Sequence, residues 1–258
     1  MLNRILILFG NEVDKNNLLK TGLHLKEKYG TEVYGLYIRD VRKYEVLPPT
    51  VDGLVVDNSA NLLIKEWEKS ENIQVEELQK IFKNYFPVKN LLIEEGITQE
   101  ILQEKMLGFD LIITEKSKTI TSNQKELLRH HYKPILLIPE NNNLKVEKVM
   151  IANDKSERVN KSVFNFLNMF EKLNDFTSVA INLSDESDDE FSKYMEIAGK
   201  KLNILEFDGK PIDIISEKSK GFDILIMGDL KHSFLLERIA GNTGLKLLEN
   251  IDIPIYVG

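Results

Sequence analysis

The chain contains no cysteine. That excludes disulfides, thiolate metal sites and a cysteine nucleophile. Long apolar runs are missing too, and no stretch is long enough to span a bilayer as a helix. The short run in "MLNRILILFG" (Met1–Gly10) has no small-residue cleavage site behind it and reads as a first strand. Cytoplasmic residence is the expectation. Nor is there an excess of positive charge: the formal net charge is −7. An acidic surface repels phosphate backbones and anionic lipid, so neither nucleic acid nor membrane is an expected partner. What is present is the material of a globular fold. Hydrophobic residues make up 42% and charged residues 29% of 258 positions, enough for one large or two medium domains.

The chain is internally duplicated. "GFDLIITEKS" (Gly108–Ser117) resembles "GFDILIMGDL" (Gly221–Leu230), each running from Gly-Phe-Asp into Ile and Leu. Downstream, "KPILLIPE" (Lys133–Glu140) parallels "IPIYVG" (Ile253–Gly258), each opened by a proline. Upstream, "NRILILFGN" (Asn3–Asn11) parallels "EKVMIAND" (Glu147–Asp154). Three landmarks in the same order indicate a repeat.

Each copy alternates strand and helix. Strands are expected at Ile5–Phe9, Glu32–Ile38, Asn90–Glu94, Leu111–Thr114 and Ile135–Ile138, then at Lys148–Ala152, Ser178–Asn182, Asn203–Phe207, Ile224–Met227 and Ile255–Val257. Helical spacing falls at Lys15–Tyr29, Ala60–Tyr85, Thr98–Leu107 and Asn123–His131, and recurs through Val159, Val163, Phe166 and Phe170 and through Ile212 and Ile215. Near-continuous apolar strands alternating with amphipathic helices specify parallel sheets covered on both faces. The fold class is therefore α/β, with two Rossmann-like or flavodoxin-like domains at 1–141 and 145–258. Between them, "PENNNLKVEK" (Pro139–Lys148) interrupts the pattern with three asparagines. The excursion "RKYEVLPPTVDG" (Arg42–Gly53) occurs in the first copy only.

Open parallel sheets bind ligands beyond the carboxyl ends of their strands. In the second copy that position is held by "MGDLKHSFLLERIAGNTG" (Met227–Gly244) and by Asn153, Asp154 and Ser156. With these residues the chain resembles a tandem universal stress protein. The resemblance implies two adenine nucleotide alpha hydrolase-like domains, each a five-stranded parallel sheet, whose last strands pair across a pseudo-twofold axis. Nucleotide-binding members of that family carry a Gly-x2-Gly-x9-Gly-Ser/Thr loop after the fourth strand and an aspartate after the first. Gly228 matches the first glycine, Gly241 the third, and Asp154 the aspartate. Lys231 stands in place of the second glycine, and Asn242 in place of Ser/Thr, with Thr243 following.

Such a loop works because glycine lets amides approach phosphate oxygens with no Cβ in the way, while a following helix start adds unpaired amides. Asn242 or Thr243 would cap that helix or touch phosphate. Lys231 would contact phosphate as a point charge or fill the pocket. The resemblance thus implies ATP or a related adenine nucleotide, with magnesium where ATP is bound, in a non-catalytic stress-response protein. Two other readings stay open: a ligand-free protein–protein interaction module with an unknown partner, or a weak ATP hydrolase. A further homodimer is compatible with the sequence. The first copy departs further from the pattern. Only 25 positions separate Phe109 from Pro134, against 32 from Phe222 to Pro254. Its loop "TEKSKTITSN" (Thr114–Asn123) has no glycine, and Gly10 and Asn11 stand where the aspartate belongs. This half is expected to act as a structural partner without a nucleotide loop.

The remaining constellations have plainer readings. His130 and His131 are adjacent, so on a helix they diverge by about 100° and make a poor metal pair. His232 reads first as a solvated loop residue and second as a ligand contact, and His24 as a surface or boundary residue. "DESDDE" (Asp185–Glu190) lacks the glycine and closing glutamate of a calcium loop and reads as an acidic helix start. Trp67, in "LLIKEWEK" (Leu62–Lys69), belongs to an amphipathic helix for core packing or an interface. No phosphate-binding P-loop, nucleophile elbow or H-E-x-x-H occurs.

Overall fold

The structure is a computed structural model that describes residues 1–10, 14–44, 58–142, 144–182, 189–228 and 243–258. Ten strands form one sheet in the order β3-β2-β1-β4-β5-β10-β9-β6-β7-β8. The first half supplies β1 (Arg4–Phe9), β2 (Glu32–Asp40), β3 (Leu91–Gly96), β4 (Leu111–Lys116) and β5 (Ile135–Pro139). The second supplies β6 (Val149–Asn153), β7 (Asp175–Ile181), β8 (Lys201–Phe207), β9 (Ile224–Met227) and β10 (Ile255–Val257). Within each half every pairing is parallel. The sole antiparallel pairing among the described strands joins the halves: Val257 faces Ile135, Tyr256 faces Leu136 and Ile255 faces Leu137. The expected meeting of the two last strands is thus observed. Pro134 and Pro254 lie just outside them. Neither donates, but each carbonyl accepts a sheet bond, from Ile112 and Leu225 respectively.

Eight helices are described: α1 (Lys15–Tyr29), α2 (Asn58–Phe82), α3 (Thr98–Met106), α4 (Ser122–His130), α5 (Glu157–Met169), α6 (Asp189–Ile197), α7 (Pro211–Ser219) and α8 (Thr243–Asn250). Strand alternation sends Ile5, Ile7 and Phe9 to one face and Leu6 to the other. On the first face, α1 and α2 of one half and α5 and α6 of the other close a single core through residues such as Leu18, Phe82, Phe166 and Met195. On the second, α3, α4, α7 and α8 do the same through Leu102, Leu128, Ile215 and Leu248. Neither core stops at the boundary between copies. Tyr29 of α1 meets Phe170 edge-on at 5.3 Å, and Lys28 donates to the carbonyl of Val146 at 3.0 Å. Trp67 lies partly buried on α2, beside exposed Leu62 and Leu63. No described helix is long and apolar enough to cross a membrane.

The Gly-Phe-Asp landmark has a physical role, and it is the same in both copies. Asp110 accepts hydrogen bonds from the amides of Asn3 (2.8 Å) and Arg4 (2.9 Å). Asp223 accepts from those of Glu147 (3.2 Å) and Lys148 (2.9 Å). Each aspartate therefore pins the start of its half's first strand, and its own amide returns a bond to that strand's carbonyl. Phe109 adds a wall on which the Arg4 guanidinium stacks at 4.7 Å.

Candidate functional site

Strand order reverses between β1 and β4 in one half and between β6 and β9 in the other. Parallel strands end on the same edge, so both reversals lie where such sheets place a ligand crevice, on the carboxyl side. In the second half, Asp154 follows β6 and Gly228 follows β9, on neighbouring strands. Asp154 accepts the Ser156 amide at 3.0 Å through Oδ1. Asn153 is held by the Ser178 hydroxyl at 3.0 Å and accepts the Lys155 amide at 2.9 Å. Lys155 takes a positive φ of 58° at this turn. Ser156 then caps α5, accepting the Val159 amide at 3.3 Å. A Cβ on Gly228 would lie 3.1 Å from the Val159 nitrogen and 3.2 Å from Arg158 Cβ. The first glycine of the loop is therefore set by contact with the start of α5. Lys231, Gly241 and Asn242, like His232, lie outside the described residues. Thr243 opens α8, and its side chain is likewise outside them.

In the first half the corresponding edge holds a cleft of about 590 Å³. Its apolar wall is Leu8, Phe9, Ile38, Leu102 and Leu127, and its floor includes Gly10 and Thr114. The Thr114 hydroxyl bonds to the Leu8 carbonyl at 3.2 Å, tying β4 to β1 beneath it. Asp40 closes one end. It takes a 2.6 Å ion pair from Arg42 and a 2.6 Å bond from the Thr98 hydroxyl. Burial alone would raise its carboxyl, but these bonds outweigh it and hold the group at about 2. Glu115 closes the other end, only 8% exposed. Burial pushes its carboxyl up, against one 3.3 Å bond from the Asp14 amide, with Asp14 and Glu140 adding to the rise.

At this cleft the start of α4 is partly capped. The Thr121 hydroxyl accepts the Gln124 amide at 3.3 Å and Gln124 Oε1 accepts the Thr121 amide at 3.1 Å, a closed capping box. Gln124 Nε2 also donates to the Glu115 carbonyl at 2.7 Å. The sequence reading missed this cleft, whose walls come from β1, β2, β4, α2, α3 and α4 together. At the far end of α4, the His131 ring lies 2.9 Å from the Lys133 carbonyl, a structural contact.

The two halves also touch behind the clefts. Lys116, 5% exposed, donates to the Leu248 carbonyl of α8 at 2.9 Å, and Glu249 accepts the Ile120 amide at 3.1 Å. The helix that follows the glycine loop is thus held at its far end by the first half.

A ten-stranded sheet made of two doubly wound halves, with a cleft at the switch point of the first, defines an α/β fold of two like halves. No protein-family model matches the chain, and neither does any curated protein sequence. Solved structures do. A universal stress protein from Archaeoglobus fulgidus superposes over 99% of this chain and 95% of its own length, with a TM-score of 0.69 and 13% identity. A functionally unknown protein from Pseudomonas aeruginosa covers 99% of this chain and 92% of its own, with a TM-score of 0.57 and 15% identity. A candidate universal stress protein of the same species gives 99%, 92%, 0.58 and 15%. The chain has the fold of the two-domain universal stress proteins.

Proposed function

We propose that the protein is a non-catalytic regulatory member of the universal stress proteins, with domains at 1–141 and 145–258, that binds ATP or a related adenine nucleotide in its carboxy-terminal half. Gly228, Lys231, Gly241, Asn242 and Thr243 would hold the phosphates, and Asp154 the adenosine. The observation that carries this reading is the close fit of Gly228 against the start of α5, beside the Asp154 turn, where a Cβ would be crowded. Oδ1 of Asp154 is engaged by Ser156, so a ligand would meet its other oxygen. Magnesium would accompany ATP as a phosphate counter-ion.

A ligand that binds only the folded state raises its stability, by about 2.7 kcal/mol at a hundred times Kd. ATP with magnesium is therefore expected to raise Tm, and Gly241→Val to abolish the rise. No rise at millimolar ATP would instead favour a protein–protein interaction module whose site Lys231 closes. Phosphate release lost on Asp154→Ala would establish hydrolysis in place of simple binding.

A further inference from the structure

We propose that the amino-terminal cleft is a binding site for a small organic cation, a primary amine or diamine with a short methylene body. This site is separate from the nucleotide loop and does not depend on it. Three observations lead there. The first is charge. Among the described lining residues, the carboxylates of Asp40 and Glu115 stand against a single cation, Arg42. That guanidinium is committed, at 2.6 Å to Asp40 and 3.1 Å to Glu126. No free positive charge is left there for a phosphate.

The second is the loss of the anion cradle. Amides at the start of α4 are where a phosphate would bind, but the Thr121–Gln124 capping box takes up two of them, those of Thr121 and Gln124. The loop Thr114–Asn123 has no glycine to open the backbone. The half without the glycine loop has not simply been filled in, since a cleft of about 590 Å³ remains, within the roughly 300–1,000 Å³ of small-molecule sites.

The third is Glu115. It is more than nine-tenths buried, lines the cleft, and receives one long bond from an amide at Oε1. No cation among the described residues pairs with it. Buried carboxylates are normally paired, because desolvating an unmatched charge is costly. An ammonium group brings three donors and the missing charge. Leu8, Ile38 and Leu127 give its methylenes an apolar wall. No described group of three or more His, Asp or Glu has metal-holding geometry, which favours an organic cation over a metal ion.

The test uses the full chain and two probes of equal length, 1,5-diaminopentane and uncharged 1,5-pentanediol, in calorimetric titrations at fixed ionic strength. The expected result is one diamine per chain, no heat from the diol, and at least a tenfold loss of diamine affinity in Glu115→Gln. The exposed control Glu32→Gln should bind as the wild type does. Diamine that fails to bind, or that binds Glu115→Gln as well as the wild type, overturns the proposal. Equal losses in Glu115→Gln and Glu32→Gln would mark diffuse attraction to an acidic surface and overturn it too. Carbon NMR of the Glu115 carboxyl provides a check without mutation. Its pKa should fall by half a unit or more with saturating diamine, and an unchanged pKa refutes the site.

Discussion

Glu115 and Asp40 sit at opposite ends of one cleft and are driven in opposite directions. Burial raises Glu115, so the folded state holds its proton more tightly than the unfolded chain does. Its contribution to stability is full below the ordinary carboxylate value and is lost as pH rises through the folded one. Glu115→Gln keeps an acceptor for the Asp14 amide and removes the buried charge. It should raise Tm at pH 7, and the gain should disappear in melts near pH 4. Asp40 behaves the other way. Held at about 2 by Arg42 and Thr98, it contributes stability above its ordinary value of 3.8, lost as pH falls toward 2. The pair is partly solvent-screened, so on the order of 1 kcal/mol is at stake. Arg42→Met should flatten that acid slope in urea titrations between pH 4 and 2. A charged residue kept buried at a cost to stability marks a functional position better than a well-paired one.

The elements were largely legible because their periods are clean. The spacing of Leu18, Leu19 and Leu25 gives α1 with the bounds expected, and Ile224–Met227 and Ile255–Val257 coincide with β9 and β10. Register was less so. β7 begins at Asp175 rather than Ser178, because Asp175, Phe176 and Thr177 pair with Lys201, Leu202 and Asn203 of β8. Such cross-strand pairing leaves no local sign in the sequence. The Gly-Phe-Asp landmark was visible as a repeat, whereas its work, clamping a strand start 75 to 107 residues away, was not. Replacing Asp110 or Asp223 by Ala removes the acceptor from two amides that lie at or near the surface. Each change should cost about 0.5–1.5 kcal/mol in urea unfolding, with little effect on nucleotide affinity. The cleft was illegible for the same reason as the clamp. Thr98, Glu115 and Gln124 are unremarkable in sequence and meet only when α3, β4 and α4 pack. On the loop side, Gly228, matched through the family resemblance, lies where a Cβ would crowd α5.

At the scale of the whole molecule, the antiparallel pairing of β5 with β10 turns two repeats into one sheet with two shared cores. Unfolding should therefore follow a single cooperative transition by fluorescence and circular dichroism. The isolated segment 145–258 would expose the β10 edge, with Ile255 and Val257 beside it, and should dimerise or aggregate in sedimentation runs. Within that frame the two switch points differ: one half keeps Gly228 beside a helix start, and the other keeps a cleft with a buried carboxylate and a capped helix. Calorimetric titration of the full chain with ATP and magnesium tests this division most directly. One nucleotide per chain, lost in Gly241→Val and retained in Glu115→Gln, is the predicted result. Two nucleotides per chain, or binding that survives Gly241→Val and fails in Glu115→Gln, would contradict it.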